Sequence, residues 1–81
     1  MNSLIPETEL RNQLLKENAE YRKLDAEHQA YDDQLEDLAN KHFLSKEDEL
    51  LEKTLKKKKL VLKDQMFSMV QHFRKQKEIG S

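Results

Sequence analysis

The chain has 81 residues, of which 38% are charged and 36% are hydrophobic, and its formal net charge is −1. This length allows one small domain, and the single glycine, the single proline and the many charges are typical of long helices rather than of sheets. Because the chain has no cysteine, disulfides and thiolate metal sites are excluded, and a reducing compartment fits the composition.

The first predicted element is a helix over residues 6 to about 41. From Leu10 to His42, ten positions alternate steps of four and three residues, which keeps their side chains on one side of an α-helix. Pro6 is tolerated in the first turn, where its missing N–H has no helical partner in any case. The residues before it contain no basic region and no long apolar stretch, so we expect no signal peptide.

The chain is predicted to turn at about residues 42–45 and to enter a second helix over about 46–77. Ser45 and Asp48 form a capping box at the start of this helix, in which Asp replaces the usual Glu. A second stripe follows the helical period along the segment. Its members are Leu51, Leu55, Lys58, Leu62, Met66, Met69 and Phe73.

The two stripes face each other along their whole length if the chain folds back at residue 43. Leu35 then faces Leu51, Leu24 faces Leu62, and one antiparallel register serves the remaining pairs. We therefore predict an all-α fold, a coiled-coil-like antiparallel two-helix hairpin that forms a single domain over residues 1–81. The hairpin seam comprises Leu14, Tyr21, Leu24, His28, Tyr31, Leu35, Leu51, Leu55, Leu62, Met66, Met69 and Phe73.

Size and charge both bear on assembly. A two-helix hairpin buries only one seam, so we expect a homo-oligomer in which two hairpins dimerise into a four-helix arrangement. Residues 7–41 carry a net charge of −5, whereas residues 45–78 carry +4. Opposite charges on the two arms favour their pairing, although exposed ion pairs add little to stability.

Several segments resemble a known family. Leu24, His28 and Leu35 in the first half, followed by Lys56-Lys57 and residues 59–66 (K-L-V-L-K-D-Q-M), resemble the YdcH-like family of short bacterial proteins of unknown function. The resemblance extends over about two-thirds of the chain. It implies a two-helix hairpin in a bacterial cytoplasm and no assigned activity.

His28 is the residue most suggestive of chemistry, because it lies in the predicted seam opposite Lys58, with Lys59 beside them, and one turn from Asp32. We expect Lys59 to lie at the seam edge and to be neutralised by Asp25 and Asp32 there. His28 and Asp32 are a possible metal or acid–base pair, but two ligands are too few to hold zinc, and His42 and His72 lie out of reach. A polar layer that fixes the register of the helices is the favoured interpretation. We expect no catalytic residue, no metal and no cofactor, since a hairpin offers no concave pocket.

Five lysines form a basic collar on the second helix: Lys56, Lys57, Lys58, Lys59 and Lys63. Successive helical residues point about 100° apart, so the lysines surround the helix instead of forming one patch. The overall charge also lacks the basic excess of nucleic-acid-binding domains. An accessory nucleic-acid-binding role that uses the collar is therefore the alternative and not the first prediction.

The sides turned away from the seam suggest a partner interface. The second helix carries Leu60 and Phe67 there, two turns apart, and the first helix carries Leu15, Ala19, Ala26 and Ala30. An exposed apolar pair on a small domain suggests contact with another chain. We predict a non-enzymatic protein–protein interaction module, a small bacterial adaptor or regulator that is cytoplasmic and has no membrane segment.

Overall fold

Residues 5–79 are described in a computed structural model, with side chains described for residues 5–77. Three helices account for nearly all of this range: α1 (Glu7–Glu17), α2 (Ala19–Ala39) and α3 (Lys46–Ile79). The described range contains no strand, so the fold is all-helical. The molecule is elongated and measures 54 × 23 × 17 Å.

The sequence predicted one continuous helix over residues 6–41. This prediction was wrong, because the helix is interrupted at Asn18. Asn18 has extended backbone angles (φ −120°, ψ 111°), and its side-chain oxygen accepts a hydrogen bond from the N–H of Tyr21 at 2.9 Å. Asparagine is among the best N-cap residues, so it begins α2 where α1 ends. The Arg22 guanidinium then donates to the carbonyls of Leu15 and Lys16 at 3.0 Å, which satisfies groups at the end of α1.

The connection between α2 and α3 runs from residue 40 to residue 45. The predicted capping box is confirmed at its end. The N–H of Asp48 donates to the Ser45 hydroxyl at 3.0 Å, and the N–H of Ser45 donates to the Asp48 carboxylate at 3.2 Å. Lys41 also binds that carboxylate at 3.0 Å, which ties the end of the connection to the first turn of α3.

The main core lies where α1 meets the beginning of α2 and the second half of α3. Its buried members are Leu10, Leu14, Tyr21, Met66 and Val70, and partly buried apolar residues surround them. At the same end, the Arg74 guanidinium donates to the carbonyl of Ile5 at 2.8 Å. Leu38, Leu55 and Leu62 are buried further along the molecule. Val70 is absent from the predicted stripe, although it is only 2% exposed.

The α3 stripe departs from prediction at two positions. Leu51 is 43% exposed and Lys58 is also exposed, whereas Lys59 is half-buried in its place. The side chain of Lys59 reaches Asp32 across the two helices.

Candidate functional site

A shallow groove of about 170 Å³ lies between the three helices, all of which line it. The lining residues are Glu7, Arg11, Tyr21, Asp25, His28, Lys63, Met66, Phe67 and Val70. The lining therefore combines buried apolar side chains with charged side chains from each helix.

A polar cluster adjoins the groove between α2 and α3. The Asp32 carboxylate forms an ion pair with the Lys59 ammonium, and His28 Nδ1 lies 3.6 Å from the other carboxylate oxygen. The hydrogen bond from Lys59 lowers the pKa of Asp32 below its usual value, and the charge of Lys63 acts in the same direction. All three members of the cluster are partly exposed, so we interpret it as a polar layer between the two helices.

Neither ring nitrogen of His28 has a normal hydrogen bond. His28 Nε2 is buried and has no hydrogen-bond partner, and the 3.6 Å separation at Nδ1 exceeds a normal hydrogen bond. Within the described residues, no three His, Asp or Glu side chains converge as a metal ion would require. The prediction that placed Lys58 opposite His28 was wrong, because Lys58 is exposed and the side chain of Lys59 reaches this layer instead.

The structure distributes the other predicted seam residues by depth. Leu14, Tyr21, Leu55, Leu62 and Met66 are buried. The remaining seam positions other than Leu51 are half-buried, namely Leu24, His28, Tyr31, Leu35, Met69 and Phe73. Lys77 lies over the Phe73 ring at 5.2 Å, which covers the far end of this row.

The predicted interface residues are mostly on the surface. Leu60 is 59% exposed and Phe67 is 56% exposed, and they lie two helical turns apart on α3. Ala19, Ala26 and Ala30 are exposed on α2. Leu15 was wrongly predicted on the outer side, because the break at Asn18 turns α1 so that Leu15 packs against the core.

The basic collar is exposed at Lys56, Lys57, Lys58 and Lys63, whereas Lys59 is held by Asp32. Lys56 lies 3.9 Å from Glu52, one turn earlier on the same helix. Such an exposed pair contributes little, so most of the collar keeps its charge available to solvent.

Other exposed apolar residues were not predicted from the sequence. Phe43 is 80% exposed in the connection, and Leu50 and Val61 are exposed on α3. The available signal was their position: Phe43 falls between the helices, and Leu50 and Val61 lie outside the predicted stripe. Among residues 5–79, no helix has an apolar stretch long enough to cross a bilayer.

Among known proteins, no curated protein matches the chain, and no solved structure matches it either. A family model does match residues 21–70, which span nearly all of α2 and most of α3, including the polar cluster, Leu60 and Phe67. The match confirms the resemblance to small bacterial proteins of unknown function. The chain therefore belongs to the family described as "Protein of unknown function (DUF465)".

Proposed function

We propose that this protein is a non-enzymatic protein–protein interaction module, a small adaptor or regulator of the bacterial cytoplasm. The observation that carries the proposal is the exposed pair Leu60 and Phe67 on one side of α3. Large apolar side chains grouped on a small domain are typical of sites that contact another chain. Phe67 also lines the groove, which gives an incoming side chain a recess to fill.

The architecture that presents this pair is proposed to be an antiparallel, coiled-coil-like hairpin of α2 and α3 that dimerises into a four-helix arrangement. Lys41 contacts Asp48, and Asp32 contacts Lys59, so earlier residues of α2 meet later residues of α3. The main core contains only five buried side chains. A domain with so small a core gains much of its stability from association.

The test replaces Phe67 with aspartate and compares it with a matched control. Val61 is as exposed as Phe67, at 56%, but it points about 120° away around the same helix. We expect Phe67→Asp to abolish self-association and partner capture while helicity by circular dichroism is retained, and Val61→Asp to leave both unchanged. Equal behaviour of the two variants, or unfolding of Phe67→Asp alone, would overturn the role of this pair.

A second candidate function is accessory nucleic-acid binding through the collar. It is favoured by Lys57, Lys58 and Lys63, which form no ion pair with any residue in the described part of the chain. Such binding would weaken steeply as salt increases, and a variant with Lys56, Lys57 and Lys63 changed to Gln would lose it. Salt-insensitive or absent binding to duplex DNA and single-stranded RNA would exclude this function.

A further inference from the structure

The side of the molecule that carries the groove is divided by charge between α2 and α3. Asp25 of α2 and Lys63 of α3 both line the groove, so they lie at about the same height along the molecule. The helical period sets Asp32 and Glu36 on the same side of α2 as Asp25. By the same period, Lys56 lies on the side of α3 that holds Lys63. Acidic side chains therefore follow α2 on this side and lysines follow α3, while the two charged α1 side chains that also line the groove have opposite signs and add no net charge.

Only part of this charge is neutralised within the molecule. Asp32 pairs with Lys59 across the two helices, and Lys56 lies 3.9 Å from Glu52 on α3. Within the described range, neither Asp25 nor Glu36 forms an ion pair, and neither does Lys63. An acidic edge and a basic edge thus remain available on one side, with Leu60 and Phe67 on the basic edge.

We infer that this side binds a second copy of the same chain, so that α3 of each copy lies on α2 of the other. The inference rests on the proposed function and specifies its partner and arrangement. A two-fold axis parallel to the helices sets acidic edges on basic edges, and Asp25 of one copy meets Lys63 of its partner at the same height. A two-fold axis perpendicular to the helices would instead stack acid on acid. Charge therefore selects the parallel axis.

The size of this side agrees with a stable dimer. Standard interfaces bury about 800 Å² per partner, and a molecule with extents of 54 × 23 × 17 Å is large enough to offer such an area along its helices. Leu60 and Phe67 would contribute the apolar contact, since charged edges give specificity more than affinity. An unrelated partner would need a basic edge to face α2 and an acidic edge to face α3. A second copy of the chain already has both.

The test exchanges charges at one contact. Asp25→Lys and Lys63→Glu are prepared separately and then mixed, and association is followed by sedimentation and native mass spectrometry. Each variant alone replaces two attractive contacts with two repulsive ones, so we expect its dimerisation to weaken about tenfold or more. The mixture restores attraction at both contacts, and we expect heterodimers to form as strongly as the wild-type dimer.

Several outcomes would overturn the arrangement. These are a monomeric wild-type chain at high micromolar concentration, variants that dimerise as the wild type does, and a mixture that shows no rescue. If an exchange lowers helicity, Asp25→Asn and Lys63→Gln replace it and are expected to weaken dimerisation without repulsion. A dimer that depends on Phe67 but ignores the charge exchanges would retain the proposed function and refute this arrangement.

Discussion

The hydroxyl of Ser45 and the carboxylate of Asp48 each accept a hydrogen bond from the backbone N–H of the other residue, at 3.0 and 3.2 Å. This reciprocal pair satisfies donors that the first turn of a helix otherwise leaves unpaired. It begins the longest helix of the molecule without help from glycine or proline. The start of α3 is therefore defined by local chemistry.

Removal of the Ser45 hydroxyl tests this cap. We expect Ser45→Ala to lower the free energy of unfolding by about 1 kcal/mol, because the N–H of Asp48 loses its acceptor. Urea denaturation followed by circular dichroism measures the change. Ser68→Ala is the control, since Ser68 is an exposed position inside α3 where alanine is a better helix former. Equal losses in both variants would show that the cap contributes nothing specific.

The lowered pKa values of two carboxyl groups, Asp32 and Asp48, lead to a prediction for stability at low pH. Hydrogen bonds from Lys59 to Asp32 and from Lys41 to Asp48 lower the pKa of each carboxyl below the usual 3.8. Their stabilising contribution is present above the unfolded-state pKa and is lost as the pH falls through the lower folded-state pKa. We expect the Tm to fall more steeply below about pH 4 in the wild type than in Asp32→Asn or Asp48→Asn. Parallel profiles of Tm against pH would contradict this linkage.

Replacement of His28 by leucine tests the polar layer. His28 Nε2 is buried without a partner, and leaving such a group unsatisfied costs about 1–3 kcal/mol. We expect His28→Leu to raise the free energy of unfolding by about 1 kcal/mol, measured by urea denaturation. His72→Leu, at an exposed position of α3, should change it little. A loss of stability in His28→Leu would mean that the contact with Asp32 contributes more than the orphaned nitrogen costs.

Two valines of α3 allow a buried position to be compared with an exposed one. Val70 is almost fully buried among α1 and α2 residues, whereas Val61 is largely exposed. We expect Val70→Ala to lower the free energy of unfolding by about 2 kcal/mol, because it removes buried methyl groups and leaves a cavity. Val61→Ala should change it by less than about 0.5 kcal/mol. Thermal and urea unfolding measure both variants. Equal losses of stability in Val70→Ala and Val61→Ala would place Val70 outside the core.

The start and length of α3 were predictable because they depend on local signals: the capping box at Ser45 and a helical pattern without glycine or proline. The break at Asn18 was not, because the apolar period continues across it from Leu14 to Tyr21. Only the side-chain oxygen of Asn18 marks the new start, and an asparagine inside a helical pattern gives a weak signal. The side-chain cap of Asn18 therefore determines this helix boundary, even though the apolar period continues across it.

The polar cluster was predictable in its main ion pair, because Lys59 was expected at the seam edge beside Asp32. His28 and Asp32 lie one turn apart on any helix, so their proximity follows from sequence. The exposure of Lys58 was not predicted, because adjacent lysines at 58 and 59 provide no contrast in the sequence. The burial of Val70 was also missed, because its packing includes α1, whose orientation was not predicted.

The break at Asn18 also bears on how the molecule opens. An eleven-residue helix is too short to persist alone in water, so α1 depends on its contacts through Leu10 and Leu14. Its opening breaks the hydrogen bonds from Arg22 and exposes core residues of α2 and α3, but it leaves the cap of α2 intact, since Asn18 supplies that cap from its own side chain. We expect the amides of residues 7–17 to exchange with deuterium through local opening, well before those of the middle of α3. Such exchange would mean that one chain contains two units of cooperativity, with the smaller one covering the end of the larger.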